Sequence, residues 1–337
     1  MIRSTSVGRC QGPGYGRDWG SSSFHYFRYI CVLMKDYGFT VGGHFFSVLV
    51  DDSLDLSAAL AHYAPFASAT EPMTAPATAT MTAPAPVFRL HVVPEADLLE
   101  PEGLTEEFNQ DDDGSQIRIS RTRDGQNWLA FSLRGSLSGR MLAAADFSEA
   151  TLSIHAYDDF ALSNALMVQF AMATAPLRTA LFHAAVIGFQ GKGYLFLGKS
   201  GTGKSTHARL WLKHIAGSEL VNDDNPVVRI LDDGTARVYG SPWSGKTPCY
   251  RNIDLPVGGV VLLAQAPFNA IRRLRGIAAY AALVPSISGK RWDKAIADGL
   301  HETENALAST VPVWHLDCLP DEAAARLSAT TLTGSER

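Results

Sequence analysis

Apolar positions fall into two regimes along this chain. In the first half they alternate with polar ones: Phe39-Thr40-Val41, then His44-Phe45-Phe46-Ser47-Val48-Leu49-Val50, then Ile117-Arg118-Ile119-Ser120-Arg121. A period of two places successive side chains on opposite faces of a strand. Arg123-Asp124-Gly125-Gln126 supplies turn residues before Trp128–Leu133, so 117–133 predicts a hairpin. Further short strands are expected around 140–143 and 150–155. Over 157–174 the pattern becomes helical. Leu162, Leu166, Val168, Phe170 and Met172 form an apolar body, and Asp158 and Asp159 favour the helix start through the dipole. Beyond Pro176, short apolar strands alternate with helix-forming stretches. The expected architecture is an α/β module with a mixed sheet, preceded by a β-rich (α+β) N-terminal region.

Some segments fit neither regime. Residues 1–33 are rich in Gly, Ser, Arg and Tyr without periodicity, which predicts a disordered tail, with Met34 as an alternative natural start. Residues 66–86 repeat Met-Thr-Ala-Pro-Ala at Met73 and Met81 and read as a low-complexity insertion. The resulting division is a β-rich domain over 34–155, a second domain over 156–330 and a tail over 331–337. Asp111-Asp112-Asp113-Gly114 lacks the alternating ligands and distal Glu of a calcium loop and reads as a solvated turn.

Composition narrows the function classes. The formal net charge of -5 argues against a nucleic-acid partner. Cys10, Cys31, Cys249 and Cys318 contain no CxxC pair, which argues against a zinc or disulfide scaffold and fits a reducing cytosol. No apolar run approaches the ~20 residues that span a bilayer, and the N-terminus lacks a secretory h-region. The expectation is a cytoplasmic protein without a membrane partner; a homo-oligomer is compatible with the sequence.

The strongest motif is Gly198-Lys199-Ser200-Gly201-Thr202-Gly203-Lys204-Ser205, which satisfies G-x-x-x-x-G-K-[ST] in full. Tyr194–Leu197 predicts a buried strand before it. Helix-forming sequence runs from Lys204 to Ile215, with Gly217 where a C-terminal cap is expected. Glycines at 198, 201 and 203 allow a tight backbone whose N–H groups converge on an anion, and the helix dipole adds to the field. Lys204 is suited to bridge terminal phosphates, and the Ser205 hydroxyl to join a Mg2+ shell. Thr206 supports the turn, and Lys199 reads as solvated. The cofactors this predicts are ATP and Mg2+.

A second constellation, Leu220-Val221-Asn222-Asp223-Asp224, delivers two carboxylates at a strand end. One suits proton transfer from an acceptor hydroxyl (Asp223) and the other the metal (Asp224), with the roles open to exchange and both candidates as metal ligands. Taken alone it is an acidic turn. A third segment, Gly240 to Asn252, is a structured loop in which Lys246 and Arg251 could neutralise phosphate charge; the alternative is a surface loop anchored by Trp243. Cys249 in it could be reactive. His183, between Phe182 and Ala184, fits a packed core residue. Asp232-Asp233-Gly234 reads as a hairpin turn, and Arg272, Arg273 and Arg275 as a solvated face.

Over roughly 182–317 these residues resemble the HPr kinase/phosphorylase family and its relatives, the P-loop phosphoenolpyruvate carboxykinases. His183, Gly191, Gly193 and Gly198–Ser205 follow the family's order, and Val221-Asn222-Asp223-Asp224 is similar to its Val-Ala-Asp-Asp motif. The resemblance implies an α/β P-loop kinase module, a proton-transferring role for Asp223, magnesium held with the help of the pair, and His183 as a further catalytic candidate. It departs at Ala184, where the family has Gly, and in the N-terminal half. The function expected is ATP-dependent phosphoryl transfer to a hydroxyl, plausibly a serine, of a peptide, small protein or metabolite. The alternatives are a non-catalytic ATP-binding switch and a carboxykinase-like enzyme.

Overall fold

A computed structural model describes residues 5–6, 34–68, 85–156, 158–245 and 247–334. The expected tail over 1–33 falls outside the described residues apart from 5–6, as does most of the low-complexity insertion (69–84).

The alternating half forms β1 (Thr5–Ser6), β2 (Met34–Val41), β3 (His44–Asp51), β4 (Arg89–Val93), β5 (Thr105–Asp112), β6 (Ser115–Arg121), β7 (Asn127–Leu133), β8 (Ser136–Ala143) and β9 (Glu149–Ile154). Among the described residues these make one sheet in the order β1-β2-β3-β4-β9-β8-β7-β6-β5. β3, β4 and β9 run parallel, and the rest is an antiparallel meander ending at β5. The β2–β3 turn is Gly42-Gly43, both at positive φ (58° and 74°) as a tight two-residue hairpin requires. The Asp-rich segment is a turn only at Asp113 (φ 51°) and Gly114 (φ 80°), which join β5 to β6, while Asp111 and Asp112 are the last residues of β5.

The second half contains α1 (Asp158–Thr174), β10 (Thr179–Phe182), β11 (Ala184–Phe189), β12 (Lys192–Leu197), α2 (Lys204–His214), β13 (Glu219–Asn222), β14 (Val227–Ile230), β15 (Ala236–Tyr239), β16 (Asp254–Gln265), β17 (Ala270–Leu274), α3 (Ile277–Leu283), β18 (Ile287–Ser288), α4 (Lys294–Thr310), β19 (Val313–Cys318) and α5 (Glu322–Thr333). The sheet is mixed, as expected. Its path is β13-β11-β12-β16-β15-β14-β10-β18, with β19 beside β16 and β17 beyond it. β16 is parallel to both β12 and β19, while the remaining pairs are antiparallel. The first residues of the expected 331–337 tail are helical instead, because α5 continues to Thr333 and closes at Gly334 (φ 66°), and 335–337 lie outside the described residues.

Helix α1 joins the two sheets. Its buried residues spread over most of its surface, while Phe160, Ser163, Asn164 and Met167, at i, i+3, i+4 and i+7, form one partly exposed face. It packs on β7, β8 and β9 on one side and on β10 on the other. Leu162, Leu166 and Phe170 are fully buried in one core that also takes in Phe46 and Leu152 from the first sheet and Leu181 and Val227 from the second. With the turn that follows, Asp158–Leu177 is 20 residues at mean hydropathy 1.3, so the expectation that no apolar run approaches membrane-spanning length is corrected. That length and composition are also those of a core helix, and 61% of the window is buried inside the molecule.

A polar clasp also crosses between the two halves. Lys290, 1% exposed, donates to Asn127 Oδ1 at 2.7 Å and pairs with Glu107 at 2.8 Å. Trp292 Nε1 donates to the same carboxylate at 2.9 Å, and its ring stacks on Phe108 at 5.7 Å. Burial alone would raise the Glu107 pKa, but hydrogen bonds from Lys290, Trp292 and Arg121 hold it down to about 2. A buried pair is costly to assemble and costlier to break, because one partner alone leaves an uncompensated charge.

Two buried histidines give stability a pH dependence. His44 lies against Thr179 Oγ1 at 2.8 Å, and His207 against Ser328 Oγ at 3.0 Å. Burial lowers both to about 4. An unfolded His takes its proton near pH 6.5, so between pH 6.5 and 4 the unfolded chain binds more protons. Their contribution is therefore complete above pH 6.5 and is lost as pH falls toward 4. Urea midpoints are expected to drop across that window, and the drop should be shallower in His207→Gln whatever its starting stability. Equal slopes in both proteins would refute this.

Candidate functional site

The site is built where β12 ends. Tyr194, Leu195, Phe196 and Leu197 are all buried, as a strand between β11 and β16 must be. The chain then turns through 198–203 into α2. Gly198 (φ 152°), Gly201 (φ 77°) and Gly203 (φ 105°) all adopt backbone angles that L side chains rarely take. A Cβ on Gly198 would also meet Thr202 at 3.0 Å, so Thr202 packs behind the loop while Gly198, Lys199, Ser200, Gly201 and Gly203 line a cleft. Gln265, at the end of β16, donates to the Gly201 carbonyl at 3.1 Å and fixes the loop from outside. From α5, Ser328 Oγ holds α2 in place through Trp211 Nε1 at 2.9 Å and His207. The helix ends at His214 with an extended Ile215 cap, so Gly217 (φ 87°) serves the following turn and not the helix cap.

Lys204 begins α2 and is 8% exposed. Its Nζ donates to the carbonyls of Gly198 at 3.0 Å and Lys199 at 3.4 Å. Burial pulls its pKa below the ordinary value, while Asp224 and Asp223 pull the other way. Ser205 and Thr206 line the cleft beside it.

The two carboxylates arrive from β13, and buried Asn222 organises them. Its Oδ1 accepts from Asp224 N at 2.9 Å, and its Nδ2 donates to Ser241 Oγ at 3.1 Å and Trp243 O at 3.4 Å. The Asp224 carbonyl accepts from Ala184 N at 2.9 Å, which sets the start of β11 and brings His183 into range. His183 Nδ1 lies 3.1 Å from Asp224 Oδ1, and Asn225 Nδ2 donates to Asp224 Oδ2 at 2.9 Å. Asp224 is therefore engaged on both oxygens. Asp223 is 8% exposed and lines the same cleft, and its Oδ1 is buried without a hydrogen-bond partner. An orphaned buried carboxylate oxygen costs several kcal/mol unless something meets it.

The 240–245 loop acts as a strut. Trp243 is 4% exposed, donates from Nε1 to Tyr63 OH at 3.0 Å and packs on Phe170 at 5.1 Å. Gly245 sits so close to Asp224 that an added Cβ would meet its Cβ at 3.1 Å.

The structure brings together Gly198–Gly201, Gly203–Thr206, His183, Asp223 and Asp224 at one cleft, whereas Thr202, also expected to bind, does not line it. His183 is half-buried in the cleft wall and not a packed core residue. Arg251 is not brought in. Its guanidinium donates to Leu220 O at 2.6 Å and to Glu219 Oε2 at 2.7 Å and does not line the cleft. That pairing ties the loop to β13 and engages the guanidinium with Glu219. Lys246 lies outside the described residues. Cys249 is buried with its thiol on the carbonyls of Leu220 and Val221, and burial pushes its pKa up, the reverse of what reactivity needs.

Sequence reasoning missed Arg209. It is exposed, lines the cleft and has no ion pair among the described residues. The signal was present, since it lies four residues after Ser205 and so on the same helix face. Also missed were the anchoring roles of Asn222 and Gln265, and the far wall. The cleft encloses about 1020 Å³, and its far side is made by Phe108, Gln110 and Asp112 of β5, Ile117 and Ile119 of β6, and Met167 of α1.

The fold and site together define a mixed-sheet α/β module with a glycine-rich strand-to-helix loop, joined through a shared core to a β-rich sheet. No protein-family model matches the chain, and no curated protein does. Among solved structures it is similar to the Hpr(Ser) kinase/phosphatase from Coxiella burnetii, at 12% identity over 46% of this chain and 94% of that one, with a TM-score of 0.27. That is a distant likeness, and nothing about activity rests on it.

Asn222→Ala is expected to strand Asp224 N–H and lower unfolding stability by about 1–3 kcal/mol. Chemical denaturation measures this, and a loss below about 0.5 kcal/mol would contradict the anchoring role.

Proposed function

We propose that the protein is an ATP-dependent kinase that transfers the γ-phosphoryl group to a hydroxyl. The observation that carries this reading is the unpartnered, buried Asp223 Oδ1 in the same cleft wall as a glycine-rich loop and a buried lysine. In the proposed complex the loop's N–H groups and Lys204 cradle the β- and γ-phosphates. Lys204 exchanges the Gly198 and Lys199 carbonyls for phosphate oxygens. Arg209 supplies the second cation at the loop that Arg251 cannot. The cleft volume accommodates a nucleotide beside an acceptor.

The donor set suits Mg2+. Asp223, Asp224 and Ser205 offer hard oxygens, and no cluster of three His, Cys, Asp or Glu exists among the described residues. An ion that keeps waters and phosphate oxygens in its shell fits such a sparse set. When bound it would neutralise charge on the phosphates. Asp223 takes the acceptor's proton as the new O–P bond forms, and the bond between the γ-phosphorus and the bridging oxygen breaks to release ADP. Asp224, held by His183 and Asn225, is the better-fixed metal ligand, and His183 acts by positioning it.

The test is transfer from γ-labelled MgATP to size-fractionated extract of the source cells, alongside ATP binding by calorimetry. Lys204→Ala should abolish detectable transfer. Asp223→Asn should bind ATP within a few-fold of wild type and transfer about 10²–10⁴-fold more slowly. A folded Asp223→Asn protein that transfers as fast as wild type sinks the mechanism. Tight ATP binding with no transfer by the wild type would favour the switch reading, and nucleotide-dependent interconversion of oxaloacetate and phosphoenolpyruvate the carboxykinase reading.

A further inference from the structure

β5 is the last strand of its sheet, and among the described residues nothing pairs with its outer edge. Asn109, Gln110, Asp111 and Asp112 are all exposed. The two-residue Asp113-Gly114 turn makes Asp112–Ser115 the closing pair of the hairpin. Such a pair exchanges its hydrogen bonds, so the N–H and C=O groups of Asp111 and Asn109 face away from β6. The side chains of Phe108, Gln110 and Asp112 alternate onto the face that walls the cleft, opposite the glycine-rich loop.

An unpaired edge next to a candidate active site is a template for another strand of suitable charge. We propose that β5 docks the acceptor as an extended peptide segment that adds to this edge, rich in Lys or Arg around its serine or threonine. The proposal rests on the kinase reading for its acceptor role. An added strand lies about 4.8 Å from β5, and alternate side chains along it share the face of Gln110 and Asp112. A hydroxyl at such a position projects into the cleft toward Asp223. A one-residue slip turns it away, so register selects the residue presented.

Charge sets the flanking sequence. β5 carries no Lys or Arg, and Asp111, Asp112 and Asp113 form no ion pair among the described residues. Across the cleft the loop side carries Lys199, Lys204 and Arg209. The cleft thus has a cationic end suited to phosphates and an anionic lip suited to a basic segment. Natural edges are blunted by charge, Pro or bulges. Here the bulge lies at Glu106–Phe108, away from 109–112, there is no Lys or Pro, and the carboxylates repel acidic strands while admitting basic ones.

The probe is a fluorescein-labelled peptide of about a dozen residues, serine flanked by Lys and Arg, against the same peptide with Glu in their place. Binding is followed by anisotropy without nucleotide. The basic peptide should bind at least about tenfold tighter than the acidic one, with affinity falling as salt rises. Asp111→Pro removes an outward N–H and should weaken binding at least about tenfold. A triple Asn replacement at Asp111, Asp112 and Asp113 should remove the basic preference; Asn tolerates the positive φ at 113. Melting curves confirm folding of each variant. Equal binding of both peptides, or binding unchanged by Asp111→Pro, overturns the docking surface. Phosphoryl transfer to a small hydroxyl compound without peptide binding would overturn the docking and leave the kinase standing. Edge-dependent peptide binding without transfer would uphold the surface and remove the kinase reading.

Discussion

Helix α1 buries most of its surface against two sheets at once, and the rest of the molecule is arranged around that constraint. A layer on each side covers the helix's apolar residues, so the two sheets close on one helix and share one core. The cleft is a by-product of that closure. Met167, Val168, Ala171 and Met172 form part of its wall, and Phe170 on the same helix packs against Trp243, whose loop braces Asp224. A shift of α1 would therefore move one wall of the site and the support of the other together.

The polar layout follows a similar economy. Asn222, buried within β13, occupies the place where a hydrophobic residue would be cheaper, and its amide sets the turn that carries both carboxylates. Asp224 spends both oxygens on His183 and Asn225 and becomes a fixed point. Asp223 is left with an oxygen that no protein group meets. Rigid support beside an unsatisfied group is the arrangement expected where a ligand completes the structure.

Much of this was legible from local pattern. The period-two runs at 117–121 and 128–133 fall in β6 and β7, the acidic turns at 113–114 and 233–234 fall between paired strands, and the glycine-rich loop has its strand and helix. Local rules govern these features, so local sequence reports them. The failures are non-local. Arg251 looked available for phosphate until Glu219, 32 positions away, claimed it. His183 looked like core because its neighbours are apolar, but the turn at Asp224 holds it at the cleft. β5, polar along most of its length, shows little apolar alternation because it lies at the sheet edge. The clasp at Lys290 and Trp292 ties it to the second half of the chain through Glu107 and Phe108, and no periodicity announces that.

The carbonyls that hold Lys204 make the loop its own competitor. The ammonium is solvated by the protein itself, so a ligand of the proposed kind would gain only the difference between its oxygens and those of Gly198 and Lys199. A weakly basic, singly charged ion has little to offer in that exchange; a polyphosphate with several charged oxygens has much more. On the proposed reading, the loop would set a threshold as well as a shape, favouring a polyphosphate over small singly charged anions.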